Sequence, residues 1–174
     1  MRRPTAAAGS ALFFAAAPGF VAGLVPWWLT RWQVRGSRAH WAPVRVAGLI
    51  LLILGAIVLV QAFARFVAEG RGTPAPVAPT ERLVVGGLYR YVRNPMYLSV
   101  TTIVLGEALL TRSSALLVYW MIFFGAANLF VIAYEEPFLR RRFGASYEAY
   151  TRRVGRWIPT LRPAVEDGSE RAGV

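Results

Sequence analysis

The amino-acid sequence predicts an all-α integral membrane protein: four transmembrane helices followed by a C-terminal amphipathic interfacial helix, with the N- and C-termini cytoplasmic. Three observations predict it. The 174 residues are 56% hydrophobic and only 17% charged, with a mean hydropathy of +0.43, against about 25% charged in a soluble domain. The apolar residues gather in runs near the length of about 20 that crosses a bilayer. Between the runs, every one of the 20 basic residues is arginine, and they crowd into alternate loops. A net charge of +11 also fits a nucleic-acid-binding domain. Here the arginines flank long apolar runs, which excludes nucleic acid as a partner and points to anionic lipid. With no cysteine and one histidine, His40, no thiolate or His-rich metal site is available.

The first helix is expected from about residue 6 to 29, bent by Pro18, Gly19 and Pro26. Met1-Arg2-Arg3 followed by alanines resembles a signal peptide, but the apolar run is too long and ends in Trp27, Trp28 and Trp32, an interfacial belt. A short polar loop carries His40 and Trp41. The second helix, about 46–66, is the clearest span, and Gly48 and Gly55 lie two turns apart, suited to close approach of another helix. Arg65 at its far end is placed to reach outward to water. The Pro/Gly-rich loop 69–94 then leads into Gly86-Gly87-Leu88-Tyr89-Arg90-Tyr91-Val92-Arg93-Asn94-Pro95-Met96-Tyr97.

In that stretch Asn94 is a favourable N-cap and Pro95 suits the first helical position, so a third helix is expected from 95 to 112 with its positive end beside Arg90 and Arg93. A tight Arg112-Ser113-Ser114 turn makes a hairpin with a fourth helix, 115–134. Interfacial helices are expected over 135–155: Ser146 caps a short one in which Phe143, Tyr147, Tyr150 and Val154 recur at helical spacing opposite arginines. Residues 1–158 form one membrane-embedded domain, and 159–174 a disordered tail. Four spans leave Arg31, Arg35, Arg38, Arg45 and Arg112 on one side and the other fifteen arginines on the opposite side. The excess of positive charge makes that second side cytoplasmic. The Arg93 stretch and the Glu135-Glu136 segment then meet on one face.

That face gathers Arg90, Arg93, Asn94, Tyr97, Asn128, Glu135, Glu136, Tyr147 and Tyr150. Asn128 and Glu135 are seven apart, on one face of the fourth helix. Mixed charges among aromatics suit a zwitterionic ligand, although a Glu pair at a helix end also serves simply to pair with Arg140, Arg141 or loop arginines. Glu107 lies roughly 18 Å along the third helix, too distant for this face, and is read as a polar contact to the fourth helix near Tyr119.

Two segments together resemble the isoprenylcysteine carboxyl methyltransferase and phospholipid N-methyltransferase superfamily of integral membrane enzymes. They are Gly-Leu-Tyr-Arg-Tyr-Val-Arg-Asn-Pro-Met-Tyr and Tyr-Glu-Glu-Pro-Phe-Leu-Arg-Arg-Arg-Phe-Gly-Ala-Ser-Tyr-Glu-Ala-Tyr, with a closing Trp-Ile-Pro. The resemblance covers about 83–159. The family's Arg-His-Pro-x-Tyr corresponds to Arg93, Asn94, Pro95 and Tyr97, its Glu-Glu pair to Glu135 and Glu136, and its Phe-Gly-x-x-Tyr-x-x-Tyr to Phe143, Gly144, Tyr147 and Tyr150. The resemblance implies S-adenosylmethionine as cofactor at the cytoplasmic membrane face and a lipophilic small-molecule or lipidated acceptor. It implies catalytic roles for Arg93, Asn94 and Glu135, and cofactor binding by Arg93, Tyr97, Glu135, Glu136, Tyr147 and Tyr150; their place on the same face adds Arg90 and Asn128 to the expected cofactor-binding set. Arg93 and the helix start would hold the cofactor carboxylate, a glutamate its amino group or ribose, and the tyrosines its adenine. Asn94 stands where the family often has histidine and cannot titrate near neutral pH. The proton acceptor then becomes Glu135 or Glu136, unless the acceptor is a carboxylate needing no base. Two further readings are an NADPH-dependent sterol-reductase-like enzyme and a non-catalytic membrane module; binding of S-adenosylmethionine, of NADPH or of neither separates the three.

Overall fold

The computed structural model describes residues 16–33, 42–70 and 83–161. These are helical and loop segments with no β-strand among them. The expected 6–15 part of the first helix, His40, Trp41 and the tail beyond 161 lie outside the described residues.

The first helix is not a regular α-helix. A π-helical turn, Phe20–Leu24, precedes α1, Val25–Thr30. Pro26 in the first turn of α1 lacks an N–H, and its ring crowds the carbonyl four residues earlier. The wider π turn lies across that position and keeps the chain helical, where the sequence suggested only a bend. α1 stops where Arg31 and Trp32 turn left-handed (φ 50° and 49°), and the Arg31 guanidinium stacks 4.2 Å from the Trp27 ring.

α2 runs Ala42–Gly70, 29 residues, or about 44 Å. α3 spans Pro95–Thr111 and α4 spans Ser114–Phe130. The left-handed Arg112 ends α3, and Ser113 starts α4 by accepting from the Leu116 N–H at 3.3 Å. This is the anticipated tight turn. α3 is the buried centre of the molecule, packed mainly on α2 and then on α4.

The α2–α3 contact depends on glycine. A Cβ on Gly106 would lie 2.7 Å from the Gly48 carbonyl oxygen, and one on Gly48 would lie 2.8 Å from that of Gly106. Gly55 abuts the Ser99 carbonyl and Ile103 in the same way. The glycine pair two turns apart thus does bring a second helix in backbone-to-backbone. Below it Leu59, Val100 and Ile103 form a core with Val21, Ala22 and Phe123 around them.

The outward faces are as apolar as the core. Val46, Ile50, Ile53, Ile57 and Val60 on α2, and Val118, Met121, Ile122 and Leu129 on α4, are exposed. Two helical stretches, Ala42–Arg65 and Ser114–Arg153, are long and apolar enough to cross a membrane; the 17-residue α3 is shorter. Apolar side chains turned outward along whole helices suit lipid as solvent.

After α4 the helix does not stop. A π-helical turn, Val131–Glu135, carries it into α5, Glu136–Arg153. Pro137 in the first turn of α5 is tolerated there. The one break inside α5 is Gly144 (φ 50°, ψ −124°), a conformation open to glycine. The expected separate helix capped by Ser146 is therefore the second half of α5 beyond that kink.

Loop 83–94 crosses the open end of the helices. Val84 packs with Ala62, Tyr89 and Met96 on one side. Leu83 and Val85 pack with Tyr147, Tyr150 and Val154 on the other, the two-residue alternation of extended chain. Gly87 adopts φ 57°, and a Cβ there would strike the Arg65 side chain at 2.9 Å, so glycine is needed for both reasons.

Candidate functional site

The site is built where three separated pieces of chain meet: the start of α3, the π turn with the start of α5, and the segment after α5. The last is drawn in by backbone bonds. The Arg93 N–H donates to the Gly155 carbonyl at 2.9 Å, and the Thr160 N–H to that of Tyr91 at 2.8 Å. Val92 and Gly155 form a single parallel bridge. A Cβ on Gly155 would fall on the Ile158 carbonyl oxygen, so only glycine makes this return.

Asn94 holds the position before α3, and its carbonyl accepts from the Leu98 N–H at 3.1 Å. Its side chain, however, makes no capping bond. It is buried and donates to the Arg156 carbonyl at 3.2 Å. The expected side-chain cap is thus replaced by a bond that pins the C-terminal segment, the returning chain offering a buried acceptor.

Arg93 and Glu136 pair at 3.0 Å, and Arg156 grips the same carboxylate with two bonds, Nε to Oε1 at 2.6 Å and Nη2 to Oε2 at 3.0 Å. Burial alone would raise the Glu136 pKa. The Arg156 hydrogen bond and the charges of Arg93, Arg156 and Arg140 outweigh it and hold the carboxyl below its ordinary 4.5. Arg156 is raised in turn, first by its hydrogen bond to Glu136. Arg93 keeps a buried Nε with no hydrogen-bond partner, and its guanidinium also donates to Tyr147.

Glu135 differs from its neighbour. Half-buried, it is hydrogen-bonded by the Tyr97 phenol and pairs with no arginine among the described residues. The two carboxyls are thus unlike: two guanidiniums hold Glu136 ionised at one end of the cluster, while burial above all pushes the Glu135 pKa up at the other.

Asn128 lies one face-repeat before Glu135 and accepts from the Trp157 indole N–H at 2.8 Å. Tyr147 is 2% exposed; burial and the Glu136 charge push its pKa up. Tyr150, also raised by burial, donates its hydroxyl to the Tyr89 carbonyl at 2.7 Å. Arg90 closes the 3-10 turn Gly87–Arg90, half-buried. Arg93, Asn94, Tyr97, Asn128, Glu135, Glu136 and Tyr147 therefore converge, while Tyr150 braces the loop behind them.

Sequence reasoning missed Arg156 and Trp157 as site residues. Their only signal was Arg-Trp-Ile-Pro directly after a glycine at the end of an amphipathic helix. Glu107 is buried well along α3, with Oε2 lacking a hydrogen-bond partner. Tyr119 does lie close enough to interact electrostatically with Glu107, as expected, while its hydroxyl donates to the Val21 carbonyl at 2.9 Å and so also ties α4 to the first helix.

Comparison with known proteins places this geometry. A protein of Haemophilus influenzae, described only as uncharacterized, is 38% identical over 63 residues, covering 36% of this chain and 100% of that protein. The phospholipid methyltransferase family matches residues 44–146. That is more than half of the chain, from the start of α2 through the Arg93 stretch and the Glu135-Glu136 pair. The chain belongs to the phospholipid methyltransferase family.

Proposed function

We propose that the protein transfers a methyl group from S-adenosylmethionine to a lipophilic acceptor, with the reaction at the cytoplasmic membrane face. One observation carries the reading: an uneven cluster of arginines and carboxyls assembled from segments up to 63 positions apart, from Arg93 to Arg156, at the end of two lipid-suited helices. The donor set fits the cofactor. The unpartnered Arg93 Nε suits a carboxylate, and the Glu135 carboxyl beside Tyr97 suits the neighbourhood of the positively charged methyl donor. S-adenosylmethionine, when bound, supplies the activated methyl on its sulfonium.

The protein's part is alignment and charge balance. Asn94 has no proton-accepting role, since its side chain holds the Arg156 carbonyl. Glu136 is a poor base because two guanidiniums keep it ionised. Glu135 is left to take a proton from the acceptor, burial first of all raising its pKa and so its basicity. Tyr147 and Tyr150 support Arg93 and the loop from behind rather than facing the ligand. Arg90 adds positive charge on the approach.

The same reading gives the topology: four spans, termini inside, and α5 beyond Gly144 lying in the interface with Arg152 and Arg153 toward anionic lipid. The test is transfer of labelled methyl from S-adenosylmethionine to total lipid extract by detergent-purified protein. Label is expected in the lipid fraction with the wild type, and at least a hundredfold less, as expected on removal of a general base, with Glu135→Gln. Equal labelling by both removes Glu135 from the chemistry, and no labelling by either removes the activity.

A further inference from the structure

Beside the charged cluster is a group of rings centred on Trp157. The Phe124 ring lies 5.3 Å from the indole, centroid to centroid, and the Tyr97 ring 6.5 Å, inclined at 60° and 77°. The indole N–H bond to Asn128 sets the orientation of Trp157 by a polar contact as well as by packing. Trp157 is only half-buried. Tyr97, one of these rings, is also the residue bonded to Glu135, the carboxylate without an arginine. Aromatic faces carry negative potential, and the Glu135 carboxyl, hydrogen-bonded by Tyr97, adds acceptor oxygens beside them. The arginine end of the cluster suits an anion; this end suits a cation that has few hydrogens to donate.

We propose that Trp157, with Tyr97, Phe124 and Glu135, receives a methyl-bearing cationic centre, either a sulfonium or a methylated ammonium. The proposal rests on the methyl-transfer reading and adds to it a specificity-determining residue, Trp157, and a positioning residue, Asn128. The cation has two possible sources, the sulfonium of the methyl donor and the amine of a lipid headgroup as it gains methyls.

Calorimetry on the detergent-purified full chain distinguishes them, with three probes: S-adenosylmethionine, S-adenosylhomocysteine, which lacks the positive sulfur, and tetramethylammonium. If the donor's sulfonium sits here, Trp157→Leu weakens S-adenosylmethionine by roughly three- to thirtyfold and leaves S-adenosylhomocysteine unchanged. If the headgroup sits here, tetramethylammonium weakens by that factor and S-adenosylmethionine does not. Trp157→Phe, which keeps a ring face, retains most of either preference. Equal weakening of charged and neutral probes, or no change in any, overturns the proposal. Should Trp157→Leu fail to fold, Phe124→Leu carries the same comparison without touching the Asn128 bond. A wild type that binds neither adenosyl compound defeats the methyl-transfer reading by itself; Trp157-dependent tetramethylammonium binding would then still uphold the cation site.

Discussion

At the scale of single residues the decisive contrast is between adjacent glutamates. Glu136 is gripped by Arg93 and Arg156, whereas Glu135 answers to Tyr97. Because Glu136 is held below its ordinary 4.5 in the folded state, its contribution to stability is complete above that value. It is lost as pH falls through the depressed folded value. Thermal unfolding in detergent should therefore show a drop below about pH 4.5 that is shallower in Glu136→Gln. Arg156→Ala removes two charge-assisted bonds and should cost about 2 kcal/mol at neutral pH, read as a lowered unfolding midpoint. Tyr150→Phe removes a buried hydrogen bond to the Tyr89 carbonyl and should cost about 1 kcal/mol, with little effect on cofactor affinity. The glutamate pair and Arg93 were legible in the sequence. Which glutamate is tied was not, because the deciding partner, Arg156, arrives through a backbone return after α5 that helical periodicity does not encode.

At the scale of elements, the α2–α3 contact is the firmest. Gly106→Ala would set a Cβ against the Gly48 carbonyl at 2.7 Å. Backbone atoms do not swing aside as side chains do, so the helices must part, at about 1–3 kcal/mol for overpacking. A lowered unfolding midpoint for Gly106→Ala, beside a slightly raised one for Gly125→Ala, whose Cβ meets open space in a helix that favours alanine, checks this. The sequence displayed Gly48 and Gly55 but left Gly106 unmarked, since one glycine within a helix has no meaning until its partner is known. The start of α3 and the turn into α4 were readable because Pro95 and Ser113 act locally. The π turns at Phe20–Leu24 and Val131–Glu135 were not, because they reconcile a proline ring with a continuing helix and leave no residue pattern of their own.

At the scale of the whole molecule, composition foretold the all-helical chain and its outward apolar faces, and the arginine distribution led to the proposed topology. The chain contains no cysteine, so single cysteines report sidedness cleanly. In sealed cells a membrane-impermeant maleimide should label Gln33→Cys from outside and leave Ala145→Cys untouched until the membrane is opened; the reverse pattern would invert the topology. Three separated segments meeting in one cluster is the feature on which the proposed function depends. The most direct measurement is calorimetric binding of S-adenosylmethionine to the wild type and to Arg93→Ala. The account predicts saturable binding by the wild type, weakened about ten- to a hundredfold by the loss of a charged hydrogen-bond partner. Arg93→Ala binding with wild-type affinity would contradict it.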